Sequence, residues 1–190
     1  MSAAPLLRLE GVACRRGGRL LFEGLDLQLG RGETALVSGP NGAGKSSLIR
    51  LAAGLLEAAA GKVERPGPVA LADEFLALDT KIRLAGALAL WARLDGGEAG
   101  RGMAAMGLDG LADVPVRMLS TGQRKRAVLA RLVASAAPLW LLDEPANGLD
   151  AEGQACLAKA AAAHLADGGA ILVASHQPIG LEAGVELRLG

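Results

Sequence analysis

The chain has 190 residues, enough for one domain with a real core, and its 20 basic and 20 acidic side chains cancel to a net charge of zero. That balance excludes the basic footprint of a nucleic-acid binder. Hydrophobic residues make up 51% but aromatics only 2%, with no Tyr, so Ala, Leu and Gly must fill the interior and the packing leans to α/β rather than all-β.

Residues 6–14 and 25–29 alternate apolar and polar side chains as exposed-edge strands do, and Gly17-Gly18 marks a turn between them. Residues 34–39, TALVSG, predict a short buried strand, and 45–54 a helix closed by Gly54. The run GKVERPGPVALAD predicts two short strands about a Pro-Gly turn. Helices are predicted over 80–94 and 101–106, with the glycines of 94–102 as a flexible joint. A helix follows Ser120, then an apolar strand at 139–143, a helix at 151–166, a strand at 170–175 and an edge strand at 185–189. Strands alternating with helices predict a largely parallel sheet flanked by helices.

Cys14 and Cys156 sit in no metal-spaced pair and are expected as free thiols of a reducing compartment. The first residues lack a basic stretch leading into a long apolar run, so no signal peptide is expected. Residues 85–94 are apolar but too short to span a membrane, and Arg93 closes the run. The expectation is a soluble, cytoplasmic protein. His164, on a polar-looking helix, is expected to be solvated.

Two motifs carry chemistry. GPNGAGKSS places Gly39, Pro40, Asn41, Gly42, Ala43, Gly44, Lys45, Ser46 and Ser47 after a strand and at the opening of a helix. Converging backbone N–H groups and a partly positive helix start suit a phosphate there. Lys45 would reach the β- and γ-phosphates and Ser46 would ligate Mg²⁺. LWLLDEP carries Asp143 to the end of a buried strand, where ligands gather in parallel α/β sheets. Asp143 suits Mg²⁺ through water, and Glu144 is the candidate general base for the attacking water. Further on, Ser120 makes a good N-cap, yet Gly122 weakens the first turn of its helix by up to about 1 kcal/mol.

The order of these pieces is specific: phosphate loop, LSTGQ at 119–123, LLDEP, GLD at 148–150, then a strand followed by Ser175-His176. It resembles the ATPase cassette of ABC transporters over nearly the whole chain, with Thr121 where the usual LSGGQ has glycine. The resemblance implies a P-loop NTPase of α/β class, with a mostly parallel central sheet, an N-terminal antiparallel β subdomain and a small helical lobe. That lobe would occupy about 75–136 of a single domain over 1–190. It implies ATP and Mg²⁺ as cofactors and a head-to-tail homodimer with ATP sandwiched between copies. Ser120, Thr121, Gly122 and Gln123 of one copy would then face the γ-phosphate held by Lys45 of the other. Asp150 resembles the aspartate that couples the two sites, and His176 resembles the switch histidine at the γ-phosphate and the attacking water.

Two features depart from the family. The adenine-stacking aromatic would lie in the first hairpin near Arg16; with no Tyr in the chain, Arg15 or Arg16 is expected to take that place, and Phe22 is read as core. Where a Gln is implied after VALA, the chain has Asp73 or Glu74, and an ionised carboxylate cannot donate as an amide does. Within the family, residues 9–33, LALWARL and ASHQPIGL are similar to the ATP-binding subunit of the cytochrome c biogenesis heme exporter. That similarity implies ATP hydrolysis coupled to heme handling or export, and docking on integral membrane permease subunits at the inner face of the cell membrane. The chain has no Cys-x-x-Cys-His, so no direct heme binding is expected.

Overall fold

A computed structural model describes residues 4–75, 77–176, 180 and 184–190. Strand β1 (Leu7–Arg16) turns at Gly17-Gly18 into β2 (Arg19–Leu29), and both turn glycines have positive φ, as a two-residue hairpin with right-handed twist requires. β3 (Thr34–Ser38) runs into α1 (Lys45–Ala53), which Gly54 closes in a left-handed cap. β4 (Ala60–Glu64) and β5 (Val69–Ala72) follow. The helical segment is α2 (Leu84–Leu94), α3 (Ala99–Ala105), two 3₁₀ turns and α4 (Thr121–Ala134). The chain then alternates β6 (Leu139–Asp143), α5 (Ala151–Ala166), β7 (Ala170–Ala174) and β8 (Val185–Arg188).

The strands form two sheets. One is antiparallel, in the order β2-β1-β4; the other has five strands, β5-β6-β7-β3-β8, and every pairing in it is parallel. This is the α/β cassette architecture expected, with three corrections. β1 is the centre of its sheet and not an edge, as its run of buried Val12, Ala13 and Cys14 reflects. β4 and β5 do not pair across their Pro-Gly turn: β4 joins β1, and β5 forms the far edge of the parallel sheet. The predicted helix over 80–94 starts only at Leu84, because Arg83 bridges to Pro115 and its φ and ψ remain extended.

Each face of the parallel sheet buries its own core. On one side α1 packs between the two sheets with Leu48, Ile49 and Leu51 against Leu7, Leu29 and Leu141. On the other, α2, α4 and α5 cover Trp140, Leu142, Ile171 and Val173. Leu129 of α4 is fully buried there, which contributes about 1.5–3 kcal/mol.

The glycines of 94–102 are not a flexible joint. A Cβ at Gly97 or Gly102 would collide with the carbonyl oxygen of Ala134 or Ala130, so these glycines let α3 lie directly on the α4 backbone. His164 is likewise not a solvated side chain. It stacks on Trp140 with ring centroids 3.9 Å apart and 8° between planes, in a space that any side chain at Gly169 would fill. Burial lowers its pKa, opposed by backbone hydrogen bonds at Ala170 and Pro138. Cys14 and Cys156 are free thiols. No helix among the described residues is long and apolar enough to cross a membrane.

Candidate functional site

The strand order brings the chemistry together. Four adjacent parallel strands, β5-β6-β7-β3, release Asp73-Glu74, Asp143-Glu144, Ser175-His176 and the loop from Gly39 at the same edge of the sheet. Register fixes the spacing: Asp143 pairs with Ala174, Val37 also pairs with Ala174, and Ala72 pairs with Leu142.

The loop after β3 is shaped by its glycines. Gly39 has φ 139°, and a Cβ on it would strike the Leu189 carbonyl oxygen. Gly44, the N-cap of α1, has φ 106° and lies under the Phe22 ring, which is half-buried at the rim of the core. Lys45 is buried and its Nζ donates to the Gly39 carbonyl at 2.8 Å and the Pro40 carbonyl at 3.3 Å, so the ammonium lies over the loop. A cleft of about 440 Å³ opens above it, lined by Arg16, Asn41, Gly42, Gly44, Lys45, Ser46, Ser47 and Glu144. Of the two hairpin arginines, Arg16 lines this cleft, while Arg15 donates to the Gly18 carbonyl and braces the turn.

Asp143 and Glu144 differ in role-defining surroundings. Burial raises the Asp143 pKa, a hydrogen bond with Ser46 offsets part of this, and Oδ1 of Asp143 is buried with no partner among the described residues. A hydroxyl, a carboxylate and an orphaned acceptor oxygen suit a hard divalent cation. Glu144 is the one non-glycine residue with positive φ, 48°, among those described; its N–H donates to the Ala174 carbonyl at 2.8 Å. Backbone strain of this kind is concentrated at functional sites. Its Oε2 meets Nδ1 of His176 at 2.9 Å.

A second group stands apart from the cleft. Ser120 caps α4 with its hydroxyl accepting from the Gln123 N–H, and the Gln123 side chain accepts from the Ser120 N–H at 2.9 Å. This capping box carries the sequence signature Ser-x-x-Gln. Thr121 is exposed and Gly122 lies against the Gly148 carbonyl. Asp150 caps α5 through the Gly153 N–H, and buried Arg126 reaches Asp150 at 3.9 Å and Glu152 at 3.4 Å. None of Ser120, Thr121, Gly122, Gln123 or Asp150 lines the cleft over Lys45. Gln177, Pro178 and Ile179 of the ASHQPIGL similarity, and Leu181, lie outside the described residues.

The segment after β5 has its own anchors. Asp73 accepts from the Phe75 N–H at 3.0 Å, and the Trp91 indole N–H donates to the Ala77 carbonyl at 2.6 Å while the Arg131 guanidinium covers the ring at 3.5 Å.

A glycine-shaped strand-to-helix loop with a buried lysine, facing two strand-end carboxylates, is the arrangement that nucleoside-triphosphate-hydrolysing cassettes use. Residues 22–147 match the ABC transporter family, and the chain belongs to that family. It is 57% identical to the "Cytochrome c biogenesis ATP-binding export protein CcmA" of Sphingopyxis alaskensis, over 97% of both chains. The protein of the same name from Novosphingobium aromaticivorans is 58% identical over 90% of this chain and 88% of that one. Among solved structures, an ATP-binding subunit of an ABC transporter superposes with a TM-score of 0.82 at 23% identity, covering 90% of this chain and 79% of the other. The chain is thus an ATP-binding, ATP-hydrolysing ABC subunit, a class that works with membrane permease partners.

Proposed function

We propose that this subunit powers the export step of cytochrome c biogenesis, hydrolysing ATP to drive heme handling by a membrane permease at the cytoplasmic face of the cell membrane. The observation that carries this reading is the 57% identity, over nearly the full length of both chains, to a protein named for that export.

In this reading the N–H groups of the loop from Gly39 to Ser47 cradle the phosphates, with Lys45 on the β- and γ-phosphates. Arg16 stacks its guanidinium plane on the base. Ser46 and Asp143 would hold Mg²⁺, whose charge would offset that of the phosphate oxygens. Glu144 accepts the proton of the attacking water, and His176 orients the Glu144 carboxylate.

Two copies complete the site. The Ser120–Gln123 turn and Asp150 lie away from the cleft of their own chain, which supports their serving a second copy across a two-fold axis. The start of α4 offers N–H groups and a hydroxyl to the γ-phosphate held by the partner.

The test is capture of the tagged subunit from native membranes in mild detergent, followed by identification of the integral membrane proteins that accompany it. A cytochrome c maturation membrane subunit is the expected result. An unrelated permease, or no membrane partner, would overturn the assignment.

A further inference from the structure

Toward the end of the parallel sheet away from the phosphate loop, the packing is incomplete. Trp140 stands near the start of β6, about 10 Å along the strand from Asp143. The face of α5 that covers it carries Cys156, Lys159, Ala160, Ala163, His164 and Asp167, a single helical stripe whose apolar members are small. From α3 come Ala104 and Ala105, also small, held close because Gly102 lets α3 lie on the α4 backbone. These side chains do not fill the space between the three helices and Trp140. They leave a cavity of about 350 Å³, within the size range of small-molecule sites.

The walls are mostly apolar, formed by Val133 and the alanines, but they also carry unmet polar groups. Trp140 lines the cavity and is 3% exposed, and its indole Nε1 is buried with no acceptor among the described residues. A buried indole N–H ordinarily has a partner, so this wall suits an oxygen acceptor. Two cations line the cavity as well. Arg101 donates from Nη2 to the Val133 and Ser135 carbonyls at 2.7 Å each, and these neutral acceptors leave its charge uncompensated. Lys159 is exposed and takes part in no ion pair among the described residues. Against the two cations stands one acid, Asp167. A molecule with an apolar body and one negative, oxygen-bearing end answers to all of these features.

We propose that the cavity between α3, α4 and α5 binds a small amphiphilic carboxylate, its apolar body against Val133, Ala160 and the Trp140 ring and its charge met by Lys159 and Arg101. The cavity shares no residue with the cleft over Lys45, so the proposal does not depend on how that cleft is read. A bound apolar body supplies the contacts that the walls of an unfilled space lack. It also covers Cys156, a free and half-buried thiol on the same stripe of α5.

The test is titration of the full chain with octanoate. Binding is read by indole fluorescence in a Trp91→Phe background, where Trp140 is the sole indole. It is read again, in the parent, by the rate at which iodoacetamide alkylates Cys156, followed on its peptide by mass spectrometry. Octanoate is expected to give a saturable fluorescence change and, over the same concentrations, to slow alkylation of Cys156. Lys159→Met is expected to weaken octanoate binding by about fivefold at low salt, with the loss shrinking as salt rises. Octanol, which lacks the charge, is expected to bind more weakly than octanoate and to be indifferent to Lys159→Met. Ala160→Leu, shown by thermal melt to be folded, fills the cavity and is expected to abolish binding. Saturating ATP is expected to leave octanoate binding unchanged. Neither a saturable change nor protection of Cys156 in the parent would overturn the proposal, whatever the variants do. So would octanol binding as tightly as octanoate, displacement of octanoate by ATP, or undiminished binding by a folded Ala160→Leu protein.

Discussion

Nδ1 of His176 stands 2.9 Å from Oε2 of Glu144, joining the end of β7 to the end of β6. An Nδ1–H donating to the carboxylate there directs the Glu144 side chain. Glu144 is fixed a second time by its backbone, whose positive φ is held by the N–H bond to Ala174. Glu144→Gln keeps the size and the backbone but cannot accept the proton of water. Its kcat is expected to fall by about 10²–10⁴-fold in a phosphate-release assay, with ATP binding retained. His176→Ala leaves the carboxylate unguided and is expected to lower kcat by about 10²-fold. An unchanged kcat in either variant removes that residue from its role.

Lys45 lies over the carbonyls of Gly39 and Pro40 with its stem buried. Lys45→Ala removes a charge-assisted donor to the phosphates and is expected to weaken ATP binding by about 10–100-fold in calorimetry. Normal ATP affinity in this variant would count against the loop as the phosphate site.

Ser120 separates two effects that a simple truncation would mix. Ser120→Ala loses the hydroxyl that accepts the Gln123 N–H and is expected to cost about 1 kcal/mol in urea unfolding. Ser120→Asp keeps a capping oxygen and is expected to stay within about 0.5 kcal/mol of the parent. It also sets a negative charge where the γ-phosphate of a partner copy would dock. Sedimentation should then show a stable monomer that no longer dimerises with ATP. Dimerisation by Ser120→Asp at parental strength would place the α4 start outside the interface.

What the sequence made legible is what short-range pattern controls. The strand–glycine loop–helix unit around Lys45, the apolar run ending at Asp143 and the helix at 151–166 are each set by neighbours in the chain, and the last matches α5 residue for residue. The misreadings have one cause, contacts between distant segments. β4 and β5 share a turn but are drawn into different sheets by β1 and β6. Gly97 and Gly102 read as flexibility because the α4 backbone against which they fit is some thirty residues away.

His164 is the clearest of these, and it carries a pH prediction. Burial against Trp140 holds its pKa below the ordinary 6.5, with Arg101 adding to the shift and Asp167 opposing it. The unfolded chain therefore takes up the proton first. Stability is unaffected above the ordinary pKa and is lost as pH falls from there through the lowered folded value. His164→Phe keeps a ring on Trp140 and has nothing to titrate. Between about pH 7.5 and 5.5, the urea midpoint of the parent is expected to fall more than that of His164→Phe. Equal falls would show that His164 is not the titrating group.

In the proposed dimer the α4 start of one copy closes over ATP held by the Lys45 loop of another. The most direct measurement is sedimentation velocity of Glu144→Gln with and without ATP. A monomer alone and a stable dimer with ATP are expected, the dimer being abolished when Ser120→Asp or Lys45→Ala is added. A Glu144→Gln protein that binds ATP yet stays monomeric, or a dimer indifferent to ATP and to Ser120, would contradict it.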